Sequence, residues 1–268
     1  MMDGPQGAAL GGGHVDNAID NAVGSQRVRR VDPGRPVVWL ERGWADFKRS
    51  AGPSLVYGAW AAAFGFALMM VAWRSTYLVP ALVGGFLLVA PFVAIVFYAL
   101  SQQIEQGRKV DGAEAVFAWR RNGGSIALWG LVLTLALIFW ERLAAIIFAT
   151  FFSGNVGDLR TLATEILLSG RHIPLLIVYF GVGGLVALTV FVFGLVTAPM
   201  LLDRDVDVVT AMLTSLKCCM TNPGATLVWA LLIAVLTTIG FATLMIGLLI
   251  IFPLLGHASW HAYRDLVV

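Results

Sequence analysis

Charged residues are scarce in this chain of 268 residues, since Asp, Glu, Lys and Arg together make up only 13% of it. A soluble globular chain carries about 25% charged residues. Half of that share is too little to cover a surface exposed to water, so lipid must solvate much of the chain. The hydrophobic share of 59% and the mean hydropathy of +0.82 agree. The composition therefore predicts an integral membrane protein rather than an ordinary soluble domain.

Cysteine is nearly absent, and the two cysteines that occur, Cys218 and Cys219, are neighbours. Because a disulfide between adjacent residues is strained and rare, the sequence contains no disulfide framework. We interpret the pair as small apolar residues of a surface helix, with lipidation and redox or metal chemistry as alternatives. Phosphate loops, Gly-x-Ser-x-Gly motifs and cysteine clusters are missing too. The sequence thus indicates no enzyme class and no nucleic-acid-binding face.

The first 36 residues are polar and rich in glycine, which predicts a disordered tail followed by a membrane domain over residues 37–268. The tail lacks the apolar stretch of a signal peptide, so we expect the first spanning helix to be an uncleaved insertion signal. Residues 37–51 then alternate aromatic and charged residues at helical spacing. Leu40, Trp44 and Phe47 would share one face, which predicts a helix lying in the membrane interface and ending at Gly52-Pro53.

Apolar runs that are long enough to cross a bilayer follow this helix. About 20 helical residues span the hydrocarbon core, and four runs fit: residues 54–73, 77–100, 125–152 and 173–201. The last run, 225–256, is too long for one straight span, and we predict a hairpin that turns near residues 238–240. The predicted fold is therefore all-α, a polytopic membrane bundle with about six transmembrane helices.

The basic residues indicate which way the chain is oriented. If the N-terminus lies inside, only Arg74, Arg160 and Arg171 lie outside, and Arg264 favours an inside C-terminus. This positive-inside pattern predicts a multi-pass protein of the bacterial inner membrane with both termini in the cytoplasm.

One plan occurs three times along the chain, in units of about 37–105, 106–203 and 204–268. Each unit reads as an amphipathic helix, a turn, two apolar spans and a stretch in which glycine precedes proline. The glycine–proline pairs are Gly85 and Pro91, Gly194 and Pro199, and Gly247 and Pro253. We interpret these residues as kinks and close helix contacts, with a substrate site at broken helices as the alternative. The pattern predicts parallel repeats.

Two sets of charged residues are candidate sites. Glu141 and Arg142 lie in an apolar run next to a tryptophan, which indicates an interface anchor or, alternatively, a buried ion pair. Adjacent helical residues point about 100° apart, so we do not expect this pair to bond within the helix. Asp203, Asp205 and Asp207 form either the capped start of a helix or an acidic loop that binds a cation.

His257 and His261 are four residues apart and would lie on one helical face. That spacing can hold a metal ion or a haem, but the glutamate of a zinc-protease motif is missing. We favour interfacial histidines that flank Trp260 and Tyr263, and keep haem or metal ligation as the alternative.

Several stretches resemble an uncharacterised family of bacterial integral membrane proteins, over about residues 37–266. They are Gly43–Phe47, Pro53–Gly58, Leu201–Ser215, Asn222-Pro223 and Phe252–Arg264. Members are sometimes labelled as similar to cytochrome c oxidase subunit I. That catalytic subunit needs more histidine ligands for its haems and copper than the four histidines of this chain. The resemblance implies a membrane protein without an assigned activity, at most an accessory of a respiratory complex.

Three functions remain open at this point. We predict a non-enzymatic scaffold, assembly or accessory factor without a cofactor, whose partners are the bilayer and other membrane proteins such as respiratory complexes. A transporter or channel would need the polar residues of the spans to converge on one cavity: Thr134, Thr189, Thr197, Thr237, Thr238, Glu141 and Arg142. A haem- or metal-linked redox accessory would use His257 and His261.

Overall fold

The computed structural model describes residues 26–74, 90, 93–152 and 169–268. The helices in these ranges are α1 (Arg35–Arg49), α2 (Ala51–Arg74), α3 (Ile95–Glu105), α4 (Gly112–Phe117), α5 (Gly123–Phe151), α6 (Ile173–Gly194), α7 (Thr197–Asp203), α8 (Val208–Thr221), α9 (Pro223–Ala242) and α10 (Leu248–Leu266). A 3₁₀ helix, Ala118–Asn122, joins α4 to α5. The predicted all-α class is confirmed.

Within the described residues, four helical stretches are long and apolar enough to cross a membrane. They are Ala51–Val71, Gly112–Phe151, Ile173–Asp203 and Pro223–Ala242. The first three correspond to the predicted spans 54–73, 125–152 and 173–201. The predicted span 77–100 lies largely outside the described residues, and α3 begins near its end.

The C-terminal apolar run forms two helices joined by a turn. The turn was expected near residues 238–240, but these continue α9, and the chain reverses at residues 243–247 instead. Leu244 and Met245 have φ angles of 52° and 69°, which is uncommon for residues other than glycine. The two helices touch, since a Cβ added to Gly240 would lie 2.5 Å from Cδ2 of Leu248.

Helix α10 is the centre of the molecule and packs against α1, α2 and α3. Glycines make the closest approaches. A Cβ on Gly43 of α1 would lie 2.7 Å from the backbone nitrogen of Ala258, and one on Gly256 would lie 2.7 Å from Cβ of Phe97. Larger side chains at these positions would push the helices apart.

Pro253 explains a further close contact of α10. It lies inside the helix and cannot donate to the carbonyl of Leu249, although a freed carbonyl in a membrane needs a neighbour. Gly58 of α2 lies directly against the freed carbonyl of Leu249, because a Cβ on Gly58 would lie 2.4 Å from that oxygen. The glycine brings its backbone to the carbonyl, as in Cα–H···O contacts.

The second glycine–proline pair also marks a helix break. Gly194 ends α6, and Pro199 lies in α7 after an interruption at Leu195 and Val196. Gly85 and Pro91 lie outside the described residues, so the threefold repeat stays a prediction.

Helix α1 differs from its prediction in its end and in its buried face. It ends at Arg49, and Gly52-Pro53 lies in the first turn of α2, where the missing N–H of proline breaks no helical bond. The face packed on α10 holds Trp39 and Gly43, whereas Trp44, expected on the apolar face, is 41% exposed. The packing partner of α1 is therefore another helix of the protein.

Some residues of the predicted tail, before residue 36, are hydrogen-bonded to other parts of the chain. The backbone N–H of Arg29 donates to the carbonyl of Leu266, and that of Val268 donates to the carbonyl of Arg27, both at 2.9 Å. The side chain of Asn222 accepts from the N–H of Val31 at 2.8 Å. Residues 26–34 are thus held against the C-terminus, while residues 1–25 lie outside the described residues.

Candidate functional site

Polar side chains from four helices meet beside α10, in what we call the base cluster: Asp46, Ser50, Ser54, Ser101, His257 and His261. Asp46 belongs to α1, Ser54 to α2 and Ser101 to α3, and Ser50 joins α1 to α2. Ser54, Ser101 and His257 are fully buried. Buried polar groups must be hydrogen-bonded to be tolerated, and the base cluster satisfies this requirement internally.

The hydrogen bonds of the base cluster assign its protons. Ser101 Oγ donates to Oδ2 of Asp46 at 2.8 Å, so its own lone pair accepts from Nδ1 of His257, also at 2.8 Å. Neutral imidazole carries one proton, and Nε2 of His257 therefore accepts from Oγ of Ser54 at 2.9 Å. His257 is thus a neutral link between α2 and α3.

His261 completes the cluster through the same carboxylate. Its Nε2 donates to Oδ2 of Asp46 at 2.8 Å. Burial opposes ionisation of Asp46, but the hydrogen bonds from His261 and Ser101 outweigh it and lower the pKa of the carboxyl. The pair therefore ties α10 to α1 with a charge-assisted bond.

Helices α1, α2 and α3 cover the face of α10 that holds His257 and leave its side chain no exposure. The imidazole therefore bonds neighbouring helices rather than lipid headgroups, and its depth at the membrane interface stays a prediction. The alternative of metal ligation finds no ligand set in the described part of the chain, where no group of three or more His, Cys, Asp or Glu could hold a metal ion. Both ring nitrogens of His257 already bond serines.

A second polar junction connects the two ends of the chain. Asp265 of α10 accepts from Nε of Arg35 at 2.6 Å, from Nε1 of Trp39 at 2.8 Å and from Arg42 at 3.5 Å. Burial opposes ionisation of Asp265, but the bonds from Arg35 and Trp39 outweigh it and lower the pKa of the carboxyl. This junction fixes α1 on the last turns of α10.

Asp203 forms a third junction and does not belong to an acidic loop. Its Oδ1 accepts from Nε2 of Gln102 at 2.8 Å, and its Oδ2 accepts from the hydroxyl of Tyr263 at 2.7 Å and from Arg264 at 3.4 Å. The carboxylate therefore joins α7 to α3 and α10.

The other two aspartates of that segment point elsewhere. Asp207 caps α8 and accepts from the N–H of Thr210 at 2.9 Å, which is the capping role. Asp205 is exposed. The three carboxylates thus have separate surroundings, and the structure does not bring them together as a cation site.

Glu141 and Arg142 do bond to each other, contrary to the expectation that adjacent residues point too far apart. Nε of Arg142 lies 3.0 Å from Oε2 of Glu141, because both side chains are long enough to reach along the helix surface. The Arg142 side chain is 76% exposed. The pair lies on the outer surface of α5 and is not a buried ion pair.

The structure does not gather the threonines of a predicted polar path. Thr134, Thr189 and Thr238 are exposed on α5, α6 and α9, and Thr197 is buried in α7. Each donates to the carbonyl four residues back in its own chain segment. The first three hydroxyls therefore bond within their own helices, and Thr197 bonds the end of α6. Thr237 is half-buried on α9.

The cysteines give no sign of reactivity. Cys218 is fully buried and Cys219 is half-buried on α8. Burial raises the pKa of the Cys219 thiol to about 12, so the nucleophilic thiolate is rare at neutral pH.

Sequence reasoning missed most of the base cluster, because Asp46 and the serines match no motif. One signal was present: Ser54 and Ser101 lie at the ends of apolar runs, where polar side chains can bond across helices. Asp46 is a carboxylate on the same helical face as Trp39 and Gly43, which argues for a buried partner.

Comparison with known proteins finds a similarity over part of this chain. No curated protein and no solved structure matches it. A family model matches residues 78–203, a narrower range than the resemblance over 37–266 suggested. That range runs from the segment before α3 to the end of α7. Over residues 78–203 the chain matches DUF2189, a family of predicted integral membrane proteins of unknown function.

Proposed function

We propose that this protein is a non-enzymatic scaffold or assembly factor of the inner membrane. A hydrogen-bonded base, made of the base cluster and the junctions around Asp265 and Asp203, would hold the long apolar helices in place. These helices would bind other membrane proteins, such as respiratory complexes. The base cluster is the observation that carries this proposal.

The base cluster contains the residue types of a catalytic Ser–His–Asp relay, but a substrate cannot reach them. Ser54, His257, Ser101 and Asp46 form a chain similar in type to Ser–His–Asp arrangements. A nucleophile must meet its substrate, whereas Ser54 and His257 have no exposed surface. Every bond of the chain instead crosses from one helix to another, which supports a structural role.

Helix α6 supports the binding part of the proposal. Its apolar side chains Ile177, Phe180 and Leu185 are each 64% to 66% exposed. Beside them, Gly181 and Gly184 have no atom within 4 Å of an added Cβ. Small residues let a second helix approach closely in a membrane, so this face suits a partner helix.

Aromatic and basic residues support a base at the cytoplasmic headgroups. The guanidinium of Arg120 lies 4.5 Å from the ring centre of Phe117, directly before α5. Trp44 stacks on Phe47 at 5.2 Å, and Lys48 follows before α2. Such residues belong at the membrane–water interface and attract anionic lipids. They support cytoplasmic termini and six apolar segments that enter the bilayer.

Gentle extraction of the full chain, followed by identification of co-purifying integral proteins, tests this function. We expect partners with the wild type, loss of them with Gly181→Leu, and retention with Val71→Leu, a control on the exposed face of α2. Extraction of the wild type without any partner would contradict the scaffold.

Two further readouts of the same sample separate the alternatives. A Soret band or bound metal that disappears with His261→Ala would instead indicate a redox accessory. Labelling of Ser54 by a fluorophosphonate, lost with His257→Gln, would indicate an enzyme.

A further inference from the structure

The α9–α10 hairpin is short when its height is measured from the base cluster. Oγ of Ser54 and Nε2 of His257 are 2.9 Å apart, so these residues lie at the same depth. From His257 back to Leu248, α10 rises about 14 Å, whereas from Ser54 to Arg74, α2 rises about 30 Å. The hairpin therefore turns about 15 Å below the far end of α2.

The length of helix α9 gives a similar height for the hairpin turn above the base. The ring of Trp229 lies 5.7 Å from that of Trp39, and Trp39 donates to Asp265 at 2.8 Å. The first turns of α9 thus run beside α1 and the charged junction, outside the hydrocarbon. From Trp229 to Ala242, α9 rises only about 20 Å, and part of that rise lies within the base.

The charged pair Glu141 and Arg142 on α5 gives an independent estimate of where the far side of the bilayer lies. Helix α5 starts at Gly123, next to Asn122, whose side chain donates to the carbonyl of Val206 near the base at 2.9 Å. From there to Glu141 the helix rises about 27 Å. This is close to the thickness of the hydrocarbon core, about 30 Å. The first exposed charges on α5 thus lie well above the hairpin turn.

The turn has the chemistry of a lipid-embedded segment. Leu244 is 63% exposed and Ile246 is 72% exposed. The stretch from Pro223 to Gly256 contains no Asp, Glu, Lys, Arg or His. A loop that emerged into water would leave these side chains without any apolar partner.

Three N–H groups of the turn are hydrogen-bonded within the hairpin. The N–H of Leu244 donates to the carbonyl of Phe241 at 3.0 Å, and that of Ile246 donates to the carbonyl of Thr243 at 3.1 Å. The N–H of Gly247 donates to the Thr243 hydroxyl at 2.9 Å. Irregular backbone is costly in hydrocarbon because its polar groups lack partners, and these three bonds reduce that cost.

We propose that α9 and α10 form a re-entrant hairpin. It enters the bilayer from the base, turns inside the hydrocarbon core, and returns to the same side, so that acyl chains cover Leu244 and Ile246. Helix α9 is long enough to cross a membrane. Its first turns lie within the base, outside the hydrocarbon, so the rest of the helix is too short to reach the other side. The protein then has two apolar segments that enter the bilayer without crossing it.

Site-directed labelling of the full chain in native membranes tests this topology. Cys218→Ala and Cys219→Ala remove the native thiols, and Ile246→Cys then carries the probe position. Arg171→Cys and Asp205→Cys, both exposed, are controls for the outer side and the base side. We expect a membrane-impermeant maleimide to label Ile246→Cys at least tenfold more slowly than either control, and equally fast after denaturation in SDS.

A nitroxide at position 246 distinguishes lipid from protein. We expect it to collide with oxygen far more often than with a water-soluble nickel chelate. Labelling at the outer control's rate would show that the hairpin crosses, and labelling at the base control's rate would show that it does not enter. Protection from both oxygen and nickel would show a protein-covered tip. Each of these three results would overturn the proposal, and Leu244→Cys provides the same test if Ile246→Cys fails to fold.

Discussion

The base and the α5–α6 pair are held together by different forces. In the base, carboxylates and histidines join helices that are far apart in sequence, as Asp265 does with Arg35 across 230 positions. In the α5–α6 pair, an apolar contact dominates: Trp140 lies over Gly183, where an added Cβ would meet its ring at 2.7 Å. Tyr179 meets the same indole edge-on at 5.2 Å.

This difference shows how register is set in each region. Hydrogen bonds in a dry interior are directional, and a fully satisfied network rigidifies one arrangement. Apolar helices in lipid gain little from leaving lipid, so shape complementarity of small and large residues sets their contact. The predictions below use this contrast, from the largest expected effect to the smallest.

His257→Ala should break the base most severely. The change opens a cavity and removes one hydrogen bond from each of Ser54 and Ser101, which should lower the free energy of unfolding by about 3 kcal/mol. Thermal unfolding of the detergent-solubilised protein measures the loss. His172→Ala, a half-exposed histidine before α6, is the control and should change little; equal losses for both variants would contradict the distinction.

Gly58→Ala should separate α2 from α10. Its methyl group would lie 2.4 Å from the Leu249 carbonyl, and such overpacking costs about 2 kcal/mol. Gly184→Ala on α6 meets open space and should leave the midpoint of unfolding unchanged or slightly raised. A stable Gly58→Ala variant would mean that the two helices are not in close contact.

Gly183→Ala should loosen only the α5–α6 pair. The methyl group meets the edge of the Trp140 ring, which is a side chain and can move, so we expect a loss of about 1 kcal/mol. The change should appear in the fluorescence of Trp140 while α1 and α10 keep their packing. A loss as large as that of Gly58→Ala would show that the pair is as tightly built as the base.

Acid should weaken the base and spare the α5–α6 pair. The pKa of Asp265 is lowered in the folded state, so its contribution is complete above the unfolded value of about 3.9 and is lost as pH falls below it. The stability difference between wild type and Asp265→Asn should therefore shrink from pH 6 to pH 3. Exposed Asp205→Asn is the control, and a difference that stays constant would contradict the role of Asp265.

The apolar helices could be predicted from sequence, and the base could not. The runs that became α2, α5 and α6 have a composition that only lipid tolerates, so their existence follows from hydropathy. The base depends on contacts between residues far apart in sequence, such as Ser54 with His257. A local sequence pattern does not predict such contacts. For the same reason the burial of His257 among three other helices could not be predicted from its sequence neighbours.

The hairpin turn shows the limit of local reasoning in another way. The turn was predicted near residues 238–240, but Gly240 continues α9 and is the contact point for Leu248. The chain instead reverses at Leu244 and Met245 with positive φ. The bonds of the Thr243 hydroxyl support this reversal, and a composition pattern does not reveal them.

Hydrogen exchange of the protein in lipid nanodiscs tests the central claim most directly, by comparing wild type with His257→Ala. If the base cluster joins the helices, exchange should increase in α1 and in the second half of α10 while α6 keeps its protection. Unchanged protection in α1, or an equal increase in α6, would show that the cluster is not what holds the base together.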